Sequence, residues 1–338
     1  MPEQVTLDDV ARLSGVSLST ASRALNGRPG VRDDVRQRVS QISGLLGFRP
    51  NRAARNLASG RSQVIGLVIP SAELRVDPYG ASMTHSVGRA ATQRDHGLML
   101  HLAADEPGDT VHHILRDGLI DGLLISTVAI GRPWVEELVS ASLPTVLIGT
   151  HPTRSDMVGV DVENLESSAT AVTHLFEQGC ARVATITGKI DRADARLRVD
   201  GYRLAHHRAG REVDESLIIE GDFGRESGSV AAHRVIELGA DGVFAANDEM
   251  AQGAIWTFTR AGVRIPDDVA IIGFDGTTFG EFMNPTLSTM CQPFDAIART
   301  AVDELLARVD GRPPASESIL LAPELLIGGS SLRAHAPP

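Results

Sequence analysis

The sequence predicts an all-α head followed by an α/β body of two doubly wound parallel-sheet subdomains. Two observations predict this division. Up to about residue 62 the apolar residues have helical spacing, whereas from residue 64 short apolar runs alternate with amphipathic segments. The charge changes at the same place, because residues 1–62 contain ten arginines, no lysine and five acids. A basic head of about +5 therefore precedes an acidic body of about −16 within a chain of net charge −11.

The first two helices of the head are predicted from their capping residues. Thr6, followed by Asp9, has the pattern of a capping box, and the helix that it begins is expected to end near Gly15. A second helix is expected to begin after Ser17 and to end at Asn26. Two helices joined by a glycine-containing turn form a helix-turn-helix.

A third helix is predicted from about residue 32 to residue 46, where apolar residues recur at helical spacing. In a helix-turn-helix the second helix enters the major groove of DNA by its N-terminal end. Leu18, Ser19 and Arg23 then lie on its outward side. Arg23 is the candidate for contacting guanine, because its planar guanidinium can donate to O6 and N7 together. A solvated surface arginine is the alternative.

The segment VTLDDVARLSGVSLSTASRALNG, with its continuation VRDDVRQRVSQISGLLGFRPNRAARNLASG, resembles the N-terminal region of the lactose/galactose-repressor (LacI/GalR) family. The resemblance implies a DNA-binding transcriptional regulator, in which Leu18, Ser19 and Arg23 contact bases. Ala21 and Asp33 stand where the family more usually has Val and Thr. The DNA-binding residues expected from helix and resemblance together are Thr6, Ser17, Leu18, Ser19, Thr20, Ser22, Arg23, Asn26, Arg52, Arg55, Leu57 and Ala58.

The same resemblance makes residues 51–59 a hinge helix. This segment favours a helix but is too short to be stable alone in water, so we expect it to fold only against DNA and a second copy of the chain. Leu57 matches the residue that is wedged between base pairs from the minor groove, and Arg52 and Arg55 are expected to contact the backbone beside it. A flexible basic linker is the alternative.

Eight apolar runs in the body have the length of strands and are separated by amphipathic segments such as 164–178. This alternation is typical of buried parallel strands in βαβ units. The runs are VIGLVIP (64–70), LMLHLA (98–103), GLLIS (122–126), TVLIG (145–149), RVATITG (182–188), SLIIEGD (216–222), GVFAAND (242–248) and VAIIGFD (269–275).

Polar residues close several of these runs: Asp161 just past a short strand, then Asn247, Asp248 and Asp275. Ligands of open parallel sheets bind beyond the carboxyl ends of the strands, so these side chains are expected to converge on one crevice. The alternative is that aspartate and glycine simply close strands.

The family resemblance extends over nearly all of the body, on GDFGRESG, FAANDEMAQGA, IPDDVAIIGFD and LSTMCQPF. It implies a periplasmic-binding-protein-like body whose two subdomains close on a small effector. The chain is then divided into a DNA-binding domain (1–49), a hinge (50–62) and an effector-binding and dimerisation domain (63–338), with subdomains of about 63–162 with 292–320, and 163–291 with 321–332. The effector contacts expected by motif match are Tyr79, Asp161, Arg198, Phe223, Asn247, Asp275, Gln292 and Phe294.

The chemistry of these residues suits a sugar or polyol. Carboxylate, guanidinium and amide groups can each engage two neighbouring hydroxyls, and aromatic rings can cover an apolar sugar face. Arg198 is the principal expected contact, and its alternative is an ordinary helix-start arginine paired with Asp194 or Asp200. Gly149 stands where some sugar-binding members carry an acid, so a purine or another polar metabolite is the alternative ligand. The effector acts either as an inducer or as a corepressor.

Enzymes are disfavoured, because the chain has no G-x-x-x-x-G-K-S/T loop, no G-x-G-x-x-G after the first strand and no G-x-S-x-G elbow. No cofactor or metal is expected: the cysteines do not form a C-x-x-C pattern, and the pairs His112–His113 and His206–His207 are interpreted as surface histidines. A sugar-binding transport-associated protein is a second alternative, but the sequence shows no signal peptide.

No apolar run has the length of a membrane span. We therefore expect a cytoplasmic, nucleoid-associated protein. The C-terminal segment SSLRAHAPP contains no leucine heptads, so the expected assembly is a homodimer whose two-fold symmetry matches a palindromic operator.

Overall fold

The protein is represented by a computed structural model that describes residues 5–48, 61–70, 78–103, 114, 118–126, 133–151, 159–277, 280, 282–313 and 318–333. The chain forms two compact units, of which the first ends at Ser62 and the second begins at Gln63. The first unit is called the head and the second the body.

The described part of the head consists of three helices around a small apolar core. They are α1 (Leu7–Ser14), α2 (Leu18–Leu25) and α3 (Asp33–Leu45). Each contributes two side chains to the core: Val10, Ala11, Ala21, Ala24, Val35 and Val39. Two of the caps expected from sequence are confirmed, since Thr6 forms a capping box with Asp9 and the Ser17 side chain accepts a hydrogen bond from the Thr20 amide.

The body alternates strands and helices. Its helices are α4 (Pro78–Thr92), α5 (Pro133–Ser140), α6 (Asn164–Glu177), α7 (Ala193–Arg208), α8 (Arg225–Leu238), α9 (Asp248–Arg260) and α10 (Phe294–Val309). Its strands are β1 (Val64–Pro70), β2 (Gly97–Ala103), β3 (Gly122–Ser126), β4 (Thr145–Ile148), β5 (Gly159–Val162), β6 (Val183–Thr187), β7 (Ile218–Glu220), β8 (Gly242–Ala245), β9 (Ala270–Asp275), β10 (Ser288–Cys291), β11 (Ile319–Leu321) and β12 (Glu324–Leu326).

The strands form two six-stranded sheets, in the orders β11-β5-β4-β3-β1-β2 and β12-β10-β9-β8-β6-β7. All neighbours are parallel except β10 and β12, which are antiparallel. Each of the eight predicted apolar runs contains a strand, and β3, β4, β6, β8 and β9 are buried along their whole length. The predicted fold class of a helical head with a body of two doubly wound sheets is confirmed.

The chain passes between the two sheets three times. It leaves the first sheet after β5, returns through α10 to β11, and crosses again to β12. Helix α10 accordingly packs on α4, β3 and β4 of the first layer, although it follows β10 of the second. The crossing segments carry Asn164 and Gln292, so they bring polar side chains from both layers together.

Two details differ from the sequence interpretation. Asp161 lies inside β5, as its third residue, and not just past a strand. His206 is not a surface histidine, because only 5% of it is exposed and its ring packs edge-on against Phe176. Burial lowers the pKa of His206, which keeps the ring neutral. His112 and His113 lie outside the described residues.

Close packing of α8 against α9 depends on two glycines. A Cβ on Gly253 would lie 1.9 Å from the carbonyl oxygen of Arg225, and one on Gly228 would lie 2.1 Å from that of Met250. Any side chain at either position would separate the helices. This contact fixes the start of α9, where Asn247 and Asp248 stand.

Candidate functional site

The outward face of α2 carries the side chains that sequence predicts to contact DNA. Leu18 is 50% exposed, Ser19 and Arg23 are exposed, and Ala21 on the opposite face is buried. The guanidinium of Arg23 forms no hydrogen bond or ion pair with another residue that the structure describes. It is therefore available to a base edge, which is the arrangement that contact with guanine requires.

The hydroxyl groups at the start of α2 form a small network. The Ser17 hydroxyl lies 2.8 Å from that of Thr20 and 3.0 Å from that of Ser19, and it also accepts from the Thr20 amide. Because the first amide groups of a helix favour anions, this end of α2 suits a phosphate. Ser17 thus both caps the helix and lies where the backbone of DNA is expected.

The other end of α2 is held by a residue that the sequence interpretation missed. Arg36 on α3 donates to the carbonyl oxygens of Ala24, at 3.2 Å, and Arg28, at 3.0 Å. Asn26 donates to the Ser22 carbonyl at 2.8 Å, which also stabilises this end. No local pattern indicates the role of Arg36, since its partners lie eight and twelve residues away.

Four of the predicted DNA-binding residues lie outside the described residues: Arg52, Arg55, Leu57 and Ala58. The remaining eight belong to α1, α2 and their flanking residues. Thr6 is the N-cap of α1, and its hydroxyl donates to the Asp9 carboxylate at 2.7 Å. This bond, together with the one that the Thr6 backbone amide donates, lowers the pKa of Asp9 to about 2.

In the body, a chain of buried polar groups connects elements from both layers. Asn164 donates to Asp161 at 3.1 Å and accepts from Arg198 Nε at 2.9 Å. Arg198 Nη1 lies 3.9 Å from Asp275 Oδ1, and Gln292 donates to the same oxygen at 2.7 Å. These five residues are called the polar cluster. Four of them were predicted, whereas Asn164 was missed.

Arg198 is held firmly within the polar cluster. It is 5% exposed, it donates to the carbonyl oxygen of Ala246, and its guanidinium carbon lies 3.7 Å from the ring centre of Phe274. These partners differ from those of the alternative interpretation, in which Arg198 is a helix-start arginine paired with Asp194 or Asp200. Asp194 pairs with Arg192, and Asp200 lies 3.5 Å from Arg203.

Tyr79 and Phe294 form an aromatic wall close to the polar cluster. Their ring centres lie 5.5 Å apart in an edge-to-face arrangement. Burial, together with the nearby carboxylates of Asp161 and Asp275, raises the pKa of Tyr79 well above its ordinary value. Its hydroxyl therefore remains protonated and can donate a hydrogen bond.

Phe223 is held in a strained conformation by Asn247, the residue after Ala246, whose carbonyl accepts from Arg198. Its φ of 70° is in the left-handed region, and Asn247 donates to its carbonyl oxygen at 2.9 Å. Asn247 also accepts from the Met250 amide at 2.9 Å, so one side chain both caps α9 and fixes Phe223. The ring lies over Gly188, where a Cβ would approach within 1.9 Å of it.

The backbone at Gly149 places Thr150 against Asp161. Gly149 has a φ of 110°, and the adjacent Thr150 donates to Asp161 at 2.8 Å. Burial raises the pKa of Asp161, while bonds from the Val162 amide and from Thr150 oppose that shift. The carboxyl of Asp161 is therefore a buried hydrogen-bond acceptor that already has protein donors.

Asp248, which the sequence predicts to converge on the crevice with Asn247 and Asp275, connects α9 to the segment that carries Asp275. It is 4% exposed and accepts from the Thr277 amide at 2.8 Å, the Thr277 hydroxyl at 3.1 Å and the Thr289 hydroxyl at 2.7 Å. Burial raises its pKa to about 6, although these bonds oppose the shift. Asp248 thus fixes the turn after β9.

Replacing Asp248 with asparagine is expected to change how the melting temperature depends on pH. In the folded state its pKa of about 6 exceeds the ordinary 3.8, so the folded protein binds this proton more tightly than the unfolded chain. The proton therefore stabilises the folded state fully below pH 3.8, and that stabilisation, on the order of 3 kcal/mol, is lost as pH rises through about 6.

Melting curves of the wild type and Asp248→Asn between about pH 4 and about pH 7 test this expectation. The stability of the variant relative to the wild type should increase with pH. Asp268→Asn is the control, because its carboxyl has a pKa near 2, lowered chiefly by Arg264, and stays ionised in this range. A difference that does not vary with pH for Asp248→Asn would contradict the assignment.

Among the described residues, no group of three or more His, Cys, Asp and Glu side chains is placed to hold a metal ion. Among the same residues, none of the helices combines the length and the apolar character needed to cross a membrane.

Comparisons with known proteins match both units. Residues 6–51 match the bacterial regulatory proteins of the lacI family, and residues 172–331 match a periplasmic binding protein-like domain. The ribose operon repressor of Escherichia coli (strain K12) is 30% identical, over 96% of this chain and 99% of the relative.

Two solved structures resemble the whole chain. The transcriptional regulator CelR–cellobiose complex is 30% identical, with a TM-score of 0.75 and coverage of 96% of this chain and 99% of that one. The lac repressor dimer bound to operator and the anti-inducer ONPF is 25% identical, with a TM-score of 0.81 and coverage of 98% and 100%. The chain therefore belongs to the LacI family of bacterial regulatory proteins and is a DNA-binding transcriptional regulator, not an enzyme.

Proposed function

We propose that the chain is a homodimeric repressor of a sugar-utilisation operon, which binds a palindromic operator and is controlled by a small sugar or polyol. The observation that carries the effector class is the polar cluster. Its carboxylates, guanidinium and amides can donate to and accept from neighbouring hydroxyls, which is what a polyol requires. Tyr79, Phe223 and Phe294 supply rings for an apolar sugar face.

The contact residues follow from this proposal. The effector is bound by the polar cluster and its aromatic neighbours, with Asn247 placing Phe223. DNA is bound by the exposed face and start of α2, and by the hinge residues Arg52, Arg55, Leu57 and Ala58. The relatives support a sugar as ligand, since one is named for ribose and another was solved with cellobiose.

The same proposal places the protein in the cytoplasm, on the nucleoid, with a DNA-binding domain of residues 1–49, a hinge of 50–62 and an effector-binding and dimerisation domain of 63–338. Coupling between the two ligands follows from linkage. If the effector prefers one arrangement of the body, it changes operator affinity, and operator DNA changes effector affinity by the same factor.

A melting-temperature screen of the purified protein against sugars, polyols and nucleobases tests the effector class. A ligand that binds only the folded state raises the melting temperature. At a free ligand concentration of about a hundred times Kd, it adds about 2.7 kcal/mol to the free energy of unfolding. Each ligand that binds is then titrated into the protein–operator complex. We expect a sugar or polyol to raise the melting temperature and to change operator affinity.

Two results would contradict the proposal. Stabilisation by nucleobases alone would favour the purine alternative, and a sugar that binds without changing operator affinity would favour a sugar-binding protein of another class. Operator binding itself is expected to weaken steeply with salt, because displaced counterions drive it.

A further inference from the structure

Arg192 and Asp194 form an ion pair that the sequence interpretation assigned to neither site. Arg192 Nη2 lies 2.6 Å from Asp194 Oδ2 and Arg192 Nε lies 3.1 Å from Asp194 Oδ1, so two parallel hydrogen bonds join them. Only 14% and 20% of the two side chains are exposed. Planar, two-point pairing of this kind is the strong form of the arginine–carboxylate interaction.

This ion pair lies beside the polar cluster. The guanidinium carbon of Arg192 is 4.5 Å from the ring centre of Phe223. The charge of Arg192 lowers the pKa of Tyr79, and the charge of Asp194 raises it. The charge of Asp194 also raises the pKa of Asp161. The pair and the proposed effector contacts therefore belong to one region.

Both guanidiniums of this region already have a carboxylate partner. Arg198 is engaged by Asn164, the Ala246 carbonyl and Asp275, and Arg192 is engaged by Asp194. Although burial opposes ionisation of Asp194, Arg192 and Arg198 lower its pKa, so its charge is present at neutral pH. Together the polar cluster and the ion pair contain two guanidiniums and three carboxylates, which leaves no excess of positive charge.

We infer that Asp194 makes the effector site selective for uncharged ligands, by occupying the guanidinium of Arg192 that would otherwise bind a phosphate or a carboxylate. The inference rests on the proposed effector site. A neutral polyol can accept from Arg192 and donate to Asp194 without breaking their pair. An anionic ligand has to displace Asp194, and it then lies near the carboxylates of the site.

The alternative role of Asp194 is purely structural. Its Oδ1 accepts from the Ala195 amide at 2.9 Å, which helps to begin α7. Asparagine retains an oxygen for that bond but removes the charge, so Asp194→Asn separates the two roles. Asp200→Asn is the matched control, because it removes one negative charge from an exposed position on the same helix.

Three matched sets of probes test the inference by calorimetric titration: ribose with ribose 5-phosphate, glucose with glucose 6-phosphate and glucuronate, and adenine with adenosine monophosphate. In the wild type, the neutral member of whichever set binds is expected to bind at least about tenfold more tightly than its anionic member. In Asp194→Asn, affinity for the anionic member should rise by about tenfold relative to the neutral one, whereas Asp200→Asn should leave the ratio unchanged.

An anionic probe that binds the wild type as tightly as its neutral counterpart would overturn the inference, and this measurement needs no variant. An unchanged ratio in a folded Asp194→Asn protein would also overturn it. The adenine set keeps the two proposals apart, because binding confined to that set rejects a sugar effector while its neutral-to-anionic ratio still tests the role of Asp194.

Discussion

Replacing Arg198 with alanine is expected to abolish the response to the effector and to destabilise the body by about 3 kcal/mol or more. The change leaves the carboxylate of Asp275 without its guanidinium, and it removes the donors that serve Asn164 and the Ala246 carbonyl. Because these groups are buried, water does not replace the lost donors, and each unsatisfied group opposes folding.

Urea unfolding of the isolated protein measures the stability loss, and operator titration with and without the sugar that binds the wild type measures the response. Arg208→Ala is the control, since it removes an arginine from the same helix whose partner Glu166 is exposed, and little change in stability is expected. If the folded Arg198→Ala protein still changes its operator affinity when the sugar is added, Arg198 is not a contact of the effector.

Replacing Arg23 with alanine is expected to lower the preference for operator over unrelated DNA by about ten- to a hundredfold. A two-point contact with guanine discriminates against a wrong base pair by about 1–3 kcal/mol. The exposed guanidinium of Arg23 on α2 is placed for such a contact, between the helix start at Ser17 and the end held by Arg36.

Binding to operator and to scrambled DNA of equal length, measured over a range of salt concentrations, tests the role of Arg23. Arg38→Ala removes the same charge from α3 and should weaken binding to both DNAs about equally. The same result is expected for Arg55→Ala in the predicted hinge. Equal losses on both DNAs for Arg23→Ala would show that it binds only the phosphate backbone.

The sequence by itself determines the local features of this protein. Helix caps at Thr6 and Ser17 depend on residues three positions apart, so a short window contains both partners. The eight apolar runs are recognisable because buried parallel strands are apolar on both faces. The strands β10, β11 and β12 were not predicted, since segments of three or four residues carry too little pattern.

Only the tertiary structure decides which groups the side chains of the site bind. Arg198 binds Asn164, 34 residues before it, and Ala246, 48 residues after it, while Arg36 reaches back to the end of α2. Local sequence makes RADARLR resemble an exposed helix start, yet the fold pairs Arg192 with Asp194 and places Arg192 against the ring of Phe223. The physical reason is that burial and pairing depend on groups brought together from distant segments, and the free energy of a charged side chain is set by those neighbours.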